Sequence, residues 1–150
     1  DKMYFPICGS LLAFLFLNWH PSKIFMGDVG STFLGAIFFT VILQCKSIEE
    51  GFAFILISFP LMLDAFICVL RRLKSGKIIY HPHRDHLYQR LVDNNLSQSL
   101  VSLLYIFSTL FISLAYLFSG IILQIYVAIV IFILAILIDK KFALKFNSAG

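Results

Sequence analysis

The sequence predicts an all-α fold, a polytopic transmembrane helical bundle. Of its 150 residues, 60% are hydrophobic and only 13% are charged, and the mean hydropathy is +0.93. A soluble domain usually carries about a quarter charged residues, so lipid is the better solvent for this surface. Five apolar stretches divide the chain, and most approach the roughly 20 residues that a spanning helix needs. We therefore expect about five membrane-spanning helices and a short amphipathic cytoplasmic helix, forming one domain over residues 1–150.

The five predicted spans lie near residues 3–19, 31–46, 52–70, 100–119 and 121–138. The second stretch is short and spans only if its polar flanks lie at the interfaces. Gly120 leaves so few residues between the last two spans that they must form an antiparallel helical hairpin. Because the chain begins with Asp1 and becomes apolar at once, without signal-peptide features, we expect it to start within a longer protein.

Basic residues predict the orientation of these spans. Ten of the 12 lysines and arginines fall in segments 20–31, 71–98 and 139–150. Cytoplasmic loops carry an excess of such residues, so we place these three segments in the cytoplasm of a multi-pass protein of the inner (plasma) membrane. The same placement explains the net charge of +4 without a nucleic-acid partner. The three cysteines lie in apolar stretches, where they behave as small hydrophobes and form no recognisable disulfide or metal pattern.

The first cytoplasmic segment contains an aspartate between two glycines. Gly27 and Gly30 permit a positive φ or a close approach of the backbone to a ligand. Asp28 precedes an apolar stretch, and a carboxylate beside a helix N-terminus can hold Mg²⁺ while free amides contact phosphate oxygens. In the alternative interpretation, Asp28 or Ser31 simply caps the following helix.

Asp64 is the acidic residue that lies well inside an apolar stretch. A carboxylate within a membrane is costly and is therefore a functional candidate. Arg71 follows seven residues later on the same helical face, so a structural ion pair between the two is the alternative. A role for Asp64 in orienting a loop residue agrees with both interpretations.

The second cytoplasmic segment is rich in histidine and arginine. If Pro82 begins a short helix, then His83, His86 and Arg90 share one face, which can turn toward a phosphate. A transition-metal site made of His81, His83 and His86 is an alternative, but one histidine cluster without a second favours diphosphate chemistry. The basic residues at the start of the segment are better explained as a solvated loop against anionic lipid: Arg71, Arg72, Lys74 and Lys77.

These motifs occur in a fixed order along residues 18–91. They are Asn18 with the run Lys23 to Ser31 (KIFMGDVGS), Phe59 to Asp64 (FPLMLD), Arg71-Arg72 with Gly76-Lys77, and His83 to Leu91 (HRDHLYQRL). Taken together they resemble the C-terminal portion of the polyprenyl-phosphate N-acetylhexosamine-1-phosphate transferase family, the undecaprenyl-phosphate sugar-1-phosphate transferases of glycosyltransferase family 4.

The resemblance implies transfer of a sugar-1-phosphate from a UDP-N-acetylhexosamine-type sugar to undecaprenyl phosphate at the membrane. UMP is released, Mg²⁺ (or Mn²⁺ in its place) is the cofactor, and the product initiates surface polysaccharide assembly. The implied site comprises a metal-binding and catalytic Asp28, further catalytic residues that hold the phosphates, and substrate-binding residues. The catalytic set is Asp28, His86, Arg84 and Arg90; the substrate-binding set is Phe25 for the base, with Asn18, Gly27, His83 and Asp64.

The chain departs from the family pattern in two respects. Tyr88 and Gln89 stand where some relatives have further histidines, which resembles the subgroup that serves surface polysaccharides. The paired aspartates of the family's N-terminal half have no match, so we expect the 150-residue chain alone to insert in membranes without transferring sugar phosphate. Two other classes stay open: a transporter or channel fragment with Asp64 on the substrate path, and a non-catalytic membrane subunit.

Overall fold

The computed structural model describes residues 4–78, 81 and 83–146, and within these the chain forms helices and no strands. The helices are α1 (Tyr4–Asn18), α2 (Gly27–Leu43), α3 (Ile48–Ile57), α4 (Phe59–Lys74), α5 (Leu87–Asp93) and α6 (Gln98–Phe142). The predicted all-α class is confirmed. The chain divides into two compact units, Asp1–Val41 and Ile42–Gly150, which we describe separately.

The first unit contains α1 and most of α2. Both helices are apolar along their length, and neither buries a residue within the chain. α2 begins at Gly27, whose φ of +65° suits the residue that leads from the loop into the helix. The helix that contains most of the predicted span at 31–46 therefore begins four residues before that span. Asp28 lies inside the first helical turn and not in the preceding loop.

The predicted span at 52–70 is not one straight helix. α3 and α4 meet at an angle of 67° around Ser58. Pro60 explains the break, because it has no N–H to donate to the carbonyl of Leu56 and its ring crowds that carbonyl. α4 then continues to Lys74, so the first basic residues of the predicted loop are helical.

α6 contains the predicted hairpin. Its 45 residues are interrupted at Gly120, where φ is 73° and ψ is −162°. Leu104 and Ile138 line the same cavity, although a straight helix would separate them by about 50 Å. The two halves, 98–119 and 121–142, therefore fold back on one another, and the hairpin at Gly120 is confirmed.

The short helix predicted within residues 71–98 is also present, with different bounds. α5 begins at Leu87, and His86 occupies the capping position with extended backbone. Pro82, the predicted first residue, lies outside the described part of the chain. Because His83 and His86 precede the helix, the prediction that they share a helical face with Arg90 is wrong.

The second unit is held together by packing of α3, α4 and α5 against α6. Gln124, fully buried on α6, donates its amide N–H to the Ala53 carbonyl on α3 (2.9 Å). Large apolar side chains near the hairpin turn are exposed instead: Leu117 by 74%, Phe118 by 80% and Ile122 by 82%.

By length and composition, α6 could cross a membrane, and the bent pair α3–α4 could provide a second span if it counts as one. α1 and α2 are apolar but shorter. The break at Gly120 gives α6 two halves of about 22 residues each, and each is about 33 Å long. That length matches the hydrocarbon thickness of a bilayer.

Candidate active site

One face of α4 carries the polar side chains that contact the segment before α5. Asp64, Cys68 and Arg72 are spaced four residues apart, so they lie above one another on this face. The segment 83–87, which leads into α5, lies against the same face. Each of the three α4 side chains meets a different part of this segment, which fixes its path.

Asp64 holds the start of α5. Its carboxylate is 8% exposed and accepts hydrogen bonds from the backbone N–H of Leu87 (2.8 Å) and the hydroxyl of Tyr105 (2.9 Å). His86 Nδ1 lies 3.8 Å from the same carboxylate. This geometry agrees with the expected role of Asp64 in orienting a loop residue. The alternative ion pair with Arg71 is wrong, because Arg71 pairs with Asp139.

A buried ion pair fixes the middle of the segment. Asp85 is 2% exposed and Arg72 5%, and the two side chains form a salt bridge. Arg72 also donates to the carbonyl of Ile78, and Lys77 Nζ lies 3.6 Å from the other Asp85 oxygen. Because burial of a charge is costly unless it is paired, these contacts determine where the residues on either side of Asp85 lie.

The two histidines on either side of Asp85 stack on one another, with ring centroids 5.3 Å apart. Ligand atoms of His83 and His86 and the sulfur of Cys68 all lie within 4.8 Å of each other. Burial, followed by the positive charge of Arg72, lowers the pKa of His83 below its ordinary value. The neutral imidazole is thus favoured near neutral pH, and its Nδ1 accepts a hydrogen bond from the backbone N–H of Asp85 (3.5 Å).

The two arginines predicted to hold phosphates have different surroundings. Arg90 is 3% exposed, and its guanidinium donates to the carbonyls of Asp85 (3.2 Å) and Leu144 (2.7 Å) and to the carboxylate of Asp139. With its nitrogens engaged in this way, Arg90 supports the fold more readily than it contacts a phosphate. Arg84 is largely exposed and pairs with Asp93 at 2.7 Å, so it can exchange this partner for a ligand.

A cavity of about 270 Å³ lies beside the polar face of α4, between α4, α5 and both halves of α6. Its wall is mainly apolar, with Phe59, Leu63, Phe111 and Phe132 among the lining residues. Asp64, Arg71, Arg90 and Asp139 also line it. The cavity therefore offers an apolar volume that borders charged groups.

In the first unit, the predicted residues lie close together along the chain. Asn18 ends α1 and donates its amide N–H to the Ile24 carbonyl (2.7 Å), which shapes the connecting loop. The Phe25 ring is 82% exposed. Gly30 has little room for a side chain, because an added Cβ would lie 2.4 Å from Cγ of Met26.

Asp28 is exposed in the first turn of α2. Its backbone carbonyl accepts hydrogen bonds from Ser31 (3.0 Å) and Thr32 (2.7 Å), so Ser31 does not cap the helix. Mg²⁺ in proteins commonly uses one or two carboxylates and takes its remaining ligands from water and substrate phosphates. An exposed carboxylate at a helix N-terminus fits that requirement.

Several residues at the α4 face were not predicted from the sequence to have any role: Cys68, Asp85, Tyr105 and Asp139. The four-residue spacing from Asp64 through Cys68 to Arg72 is visible in the sequence and could have indicated a shared face. Asp139 lies far along the chain from its partners Arg71 and Arg90, and its pairing depends on the hairpin.

Comparison with known proteins shows which proteins this all-α chain is similar to. Residues 2–46 match the family described as glycosyl transferase family 4. The chain is 32% identical over 112 residues to the probable undecaprenyl-phosphate N-acetylglucosaminyl 1-phosphate transferase of Bacillus subtilis, a match that covers 70% of this chain and 31% of that protein.

Two further relatives have similar names. The decaprenyl-phosphate N-acetylglucosaminephosphotransferase of Mycobacterium leprae is 29% identical over 69% of this chain and 32% of that protein. The phospho-N-acetylmuramoyl-pentapeptide-transferase of Francisella tularensis subsp. novicida is 35% identical over 49% of this chain and 20% of that protein. No solved structure gives a significant match.

These comparisons confirm the predicted resemblance: the chain is similar to glycosyl-1-phosphate transferases of glycosyl transferase family 4, and the matched proteins are enzymes. The match spans about a third or less of the length of these relatives.

Proposed function

We propose that this chain is part of an integral membrane phosphotransferase. The enzyme transfers an N-acetylhexosamine-1-phosphate from a UDP-sugar to undecaprenyl phosphate, releases UMP and initiates surface polysaccharide assembly. The observation that supports this most is the 112-residue match to the Bacillus subtilis relative, whose name specifies a sugar 1-phosphate transferase acting with undecaprenyl phosphate. The contacts at the polar face of α4, which hold the segment 83–87 in place, also support it.

In this proposal the segment 83–87 binds the diphosphate. The imidazoles of His83 and His86 lie against α4. Arg84 is exposed and can exchange its partner Asp93 for a phosphate. Asp64 and the Arg72–Asp85 pair hold the segment in place, and Arg90 acts as a positioning residue. Phosphoryl transfer depends mainly on such positioning and on charge neutralisation, so no protein nucleophile is required.

The first unit contributes the metal and nucleotide groups in this proposal. Asp28 is the residue that would hold Mg²⁺, which when bound would neutralise phosphate charge. Phe25 presents an exposed ring on which a uracil base can stack. Asn18 and Gly27 shape the backbone between α1 and α2, Asn18 through its bond to the Ile24 carbonyl and Gly27 through its positive φ.

The lipid acceptor needs an apolar site next to a polar one. The cavity beside α4 has an apolar wall and borders Asp64 and Arg71. A volume of about 270 Å³ accommodates part of a prenyl chain, while the lipid phosphate stays near the segment 83–87. We assign the acceptor to this cavity.

The proposal includes five crossings of the inner membrane, with segments 20–31, 71–98 and 139–150 in the cytoplasm. The described parts of the last two segments lie together, because Arg90 donates to the Leu144 carbonyl and Asn94 to the Phe142 carbonyl. A common side of the membrane is consistent with these bonds. The exposed apolar side chains around Gly120 would then lie in or near lipid at the other side.

The nucleotide product tests this function. Membranes from cells that express the complete gene product should release UMP from a UDP-N-acetylhexosamine only when undecaprenyl phosphate is present. Release of UDP would indicate glycosyl transfer instead, and lipid-independent UMP would indicate hydrolysis. The absence of any nucleotide product would favour a transporter fragment or a non-catalytic subunit. Membranes containing only the 150-residue chain should be inactive.

A further inference from the structure

The described part of the second unit contains a group of three side chains that phosphoryl transfer does not require together. Cys68 on α4 is 2% exposed and faces the stacked rings of His83 and His86. The sulfur and one nitrogen from each imidazole lie within 4.8 Å of one another. A buried thiol packed against two imidazoles is the ligand set of a borderline-soft metal ion and not of Mg²⁺, which prefers oxygen.

We propose that Cys68, His83 and His86 bind one transition-metal ion of the Zn²⁺ class, with the fourth position open to water. In a tetrahedral zinc site the bonds are about 2.3 Å to sulfur and about 2.0 Å to nitrogen, so ligand atoms lie roughly 3.3–3.6 Å apart. The three side chains therefore need to close by about 1 Å, which rotation of the partly exposed imidazoles can supply.

The surroundings of His86 resemble those of a metal-bound histidine. Metal-ligating histidines usually donate the other ring N–H to a carboxylate or carbonyl, which fixes the orientation of the ring. His86 Nδ1 lies 3.8 Å from the Asp64 carboxylate, longer than a hydrogen bond, and a small rotation of the ring would let Nδ1 donate to Asp64 and leave Nε2 for the metal. Asp64 is itself held by Leu87 and Tyr105, so this outer carboxylate is fixed.

The charges around Asp64 also favour a metal ion at this site. The hydrogen-bond donors to Asp64, a backbone N–H and a tyrosine hydroxyl, are both neutral, although its carboxylate is only 8% exposed. A divalent ion with one thiolate and two neutral imidazoles has a net charge of +1. Such a centre, next to His86, would place positive charge near the buried Asp64 carboxylate, and a buried charge is less costly when it is paired. Asp85, in contrast, already has Arg72 as its cationic partner.

The metal would fasten the segment 83–87 to α4. It would also occupy both imidazoles, so that Zn²⁺ and the substrate diphosphate would compete for them. This second consequence rests on the proposed function, whereas metal binding itself does not. The two can therefore be tested separately, the first by spectroscopy without substrate and the second by activity.

Cobalt spectroscopy of the complete gene product, purified in detergent, tests the site. We expect Co²⁺ to give a saturable sulfur-to-cobalt charge-transfer band at one ion per chain, removed by Zn²⁺ but not by equimolar Mg²⁺. Cys68→Ser should abolish the band, while Cys8→Ser, at an exposed cysteine of α1, should leave it unchanged. Asp64→Asn should weaken cobalt binding about 10- to 100-fold, as expected for an outer carboxylate.

His83→Gln and His86→Gln keep the proposal testable if Cys68→Ser loses its helical circular dichroism. Each should retain a sulfur band with at least tenfold weaker affinity. The site is refuted if the folded wild-type protein shows no saturable sulfur band, if the band persists in folded Cys68→Ser, or if both histidine variants bind cobalt as tightly as wild type. Loss of UMP release in Asp28→Asn with cobalt binding intact would leave this proposal standing and concern only the phosphotransferase.

Discussion

The segment around Asp28 and the polar face of α4 are built in different ways. Side-chain bonds in the first segment are local: Asn18 reaches Ile24 six residues away, and Thr32 reaches Asp28 four residues away. At the α4 face the bonds join distant parts of the chain, 23 residues apart for Asp64 and Leu87 and 68 for Arg71 and Asp139. Substitutions in the first segment should change chemistry with little effect on folding, whereas those at the α4 face should change both.

The largest effect on stability is expected from Asp85→Asn. This substitution leaves the buried Arg72 guanidinium without its counter-charge, and breaking a buried pair in this way costs about 3–5 kcal/mol. Thermal unfolding of the purified protein in detergent should show a correspondingly large loss.

Asp93→Asn is the matched control, because Asp93 also pairs with an arginine but at the surface. We expect it to cost no more than about 1 kcal/mol. Equal losses in the two variants would show that the burial difference between the two ion pairs has no energetic consequence.

Asp28→Asn should have the largest effect on activity. Loss of the carboxylate that we propose binds Mg²⁺ should lower kcat of the complete gene product at least about 100-fold, or about 2.7 kcal/mol. Expression and thermal stability should be close to those of wild type, since the side chain is exposed. Near-normal turnover would mean that Asp28 only stabilises the N-terminus of α2.

Ser31→Ala is the control for this segment. The Ser31 hydroxyl donates to the Asp28 carbonyl within the same helical turn, so its removal should change kcat less than about threefold. A loss comparable to that of Asp28→Asn would indicate that the whole turn, and not the carboxylate, determines activity.

Tyr105→Phe should have an intermediate effect on thermal stability. It removes one of the donors to Asp64, and a hydrogen bond to a charged group contributes about 1.5–3 kcal/mol. Tyr126→Phe, at a residue 65% exposed on the same helix, should be nearly neutral. If Tyr105→Phe and Tyr126→Phe melt at the same temperature, Asp64 does not depend on this bond.

The smallest effect concerns the cavity beside α4. Ala135 lines it, and Ala135→Phe should fill part of its volume and raise KM for undecaprenyl phosphate about fivefold without changing KM for the UDP-sugar. Ile133→Phe, at an exposed position two residues away, is the control. An equal rise in both KM values would place the acceptor elsewhere.

Several features of the fold followed from the sequence for local physical reasons. Long apolar stretches predict helices, and Gly120 between two such stretches predicts the hairpin. Both predictions depend only on residues that are neighbours in the sequence. Hydropathy alone does not predict the bend at Ser58, although Pro60 indicates it. A proline is favoured in the first turn of a helix, so the sequence points to a start at Pro82, whereas α5 begins at Leu87, where the Asp64 carboxylate accepts the backbone N–H.

The residues of the candidate site also fall into those that local sequence indicates and those that depend on tertiary contacts. Asp28, His83, His86 and Asp64 stand out in the sequence because of unusual context or a resembling motif. Cys68 and Asp139 acquire their surroundings from tertiary contacts, Cys68 with the histidines of a later segment and Asp139 with Arg71 and Arg90. Hydropathy and spacing do not reveal these pairings, although the spacing from Asp64 through Cys68 to Arg72 indicates a shared helical face.

Transfer of the β-phosphate tests the central claim most directly. The complete gene product is incubated with a UDP-N-acetylhexosamine labelled with ³²P in its β-phosphate and with undecaprenyl phosphate, and the lipid is extracted. The account predicts that label moves to the lipid fraction in equal amount to the UMP released, and that Asp28→Asn abolishes both. Label that stays with the nucleotide while the sugar moves, or that appears as free sugar phosphate, would contradict it.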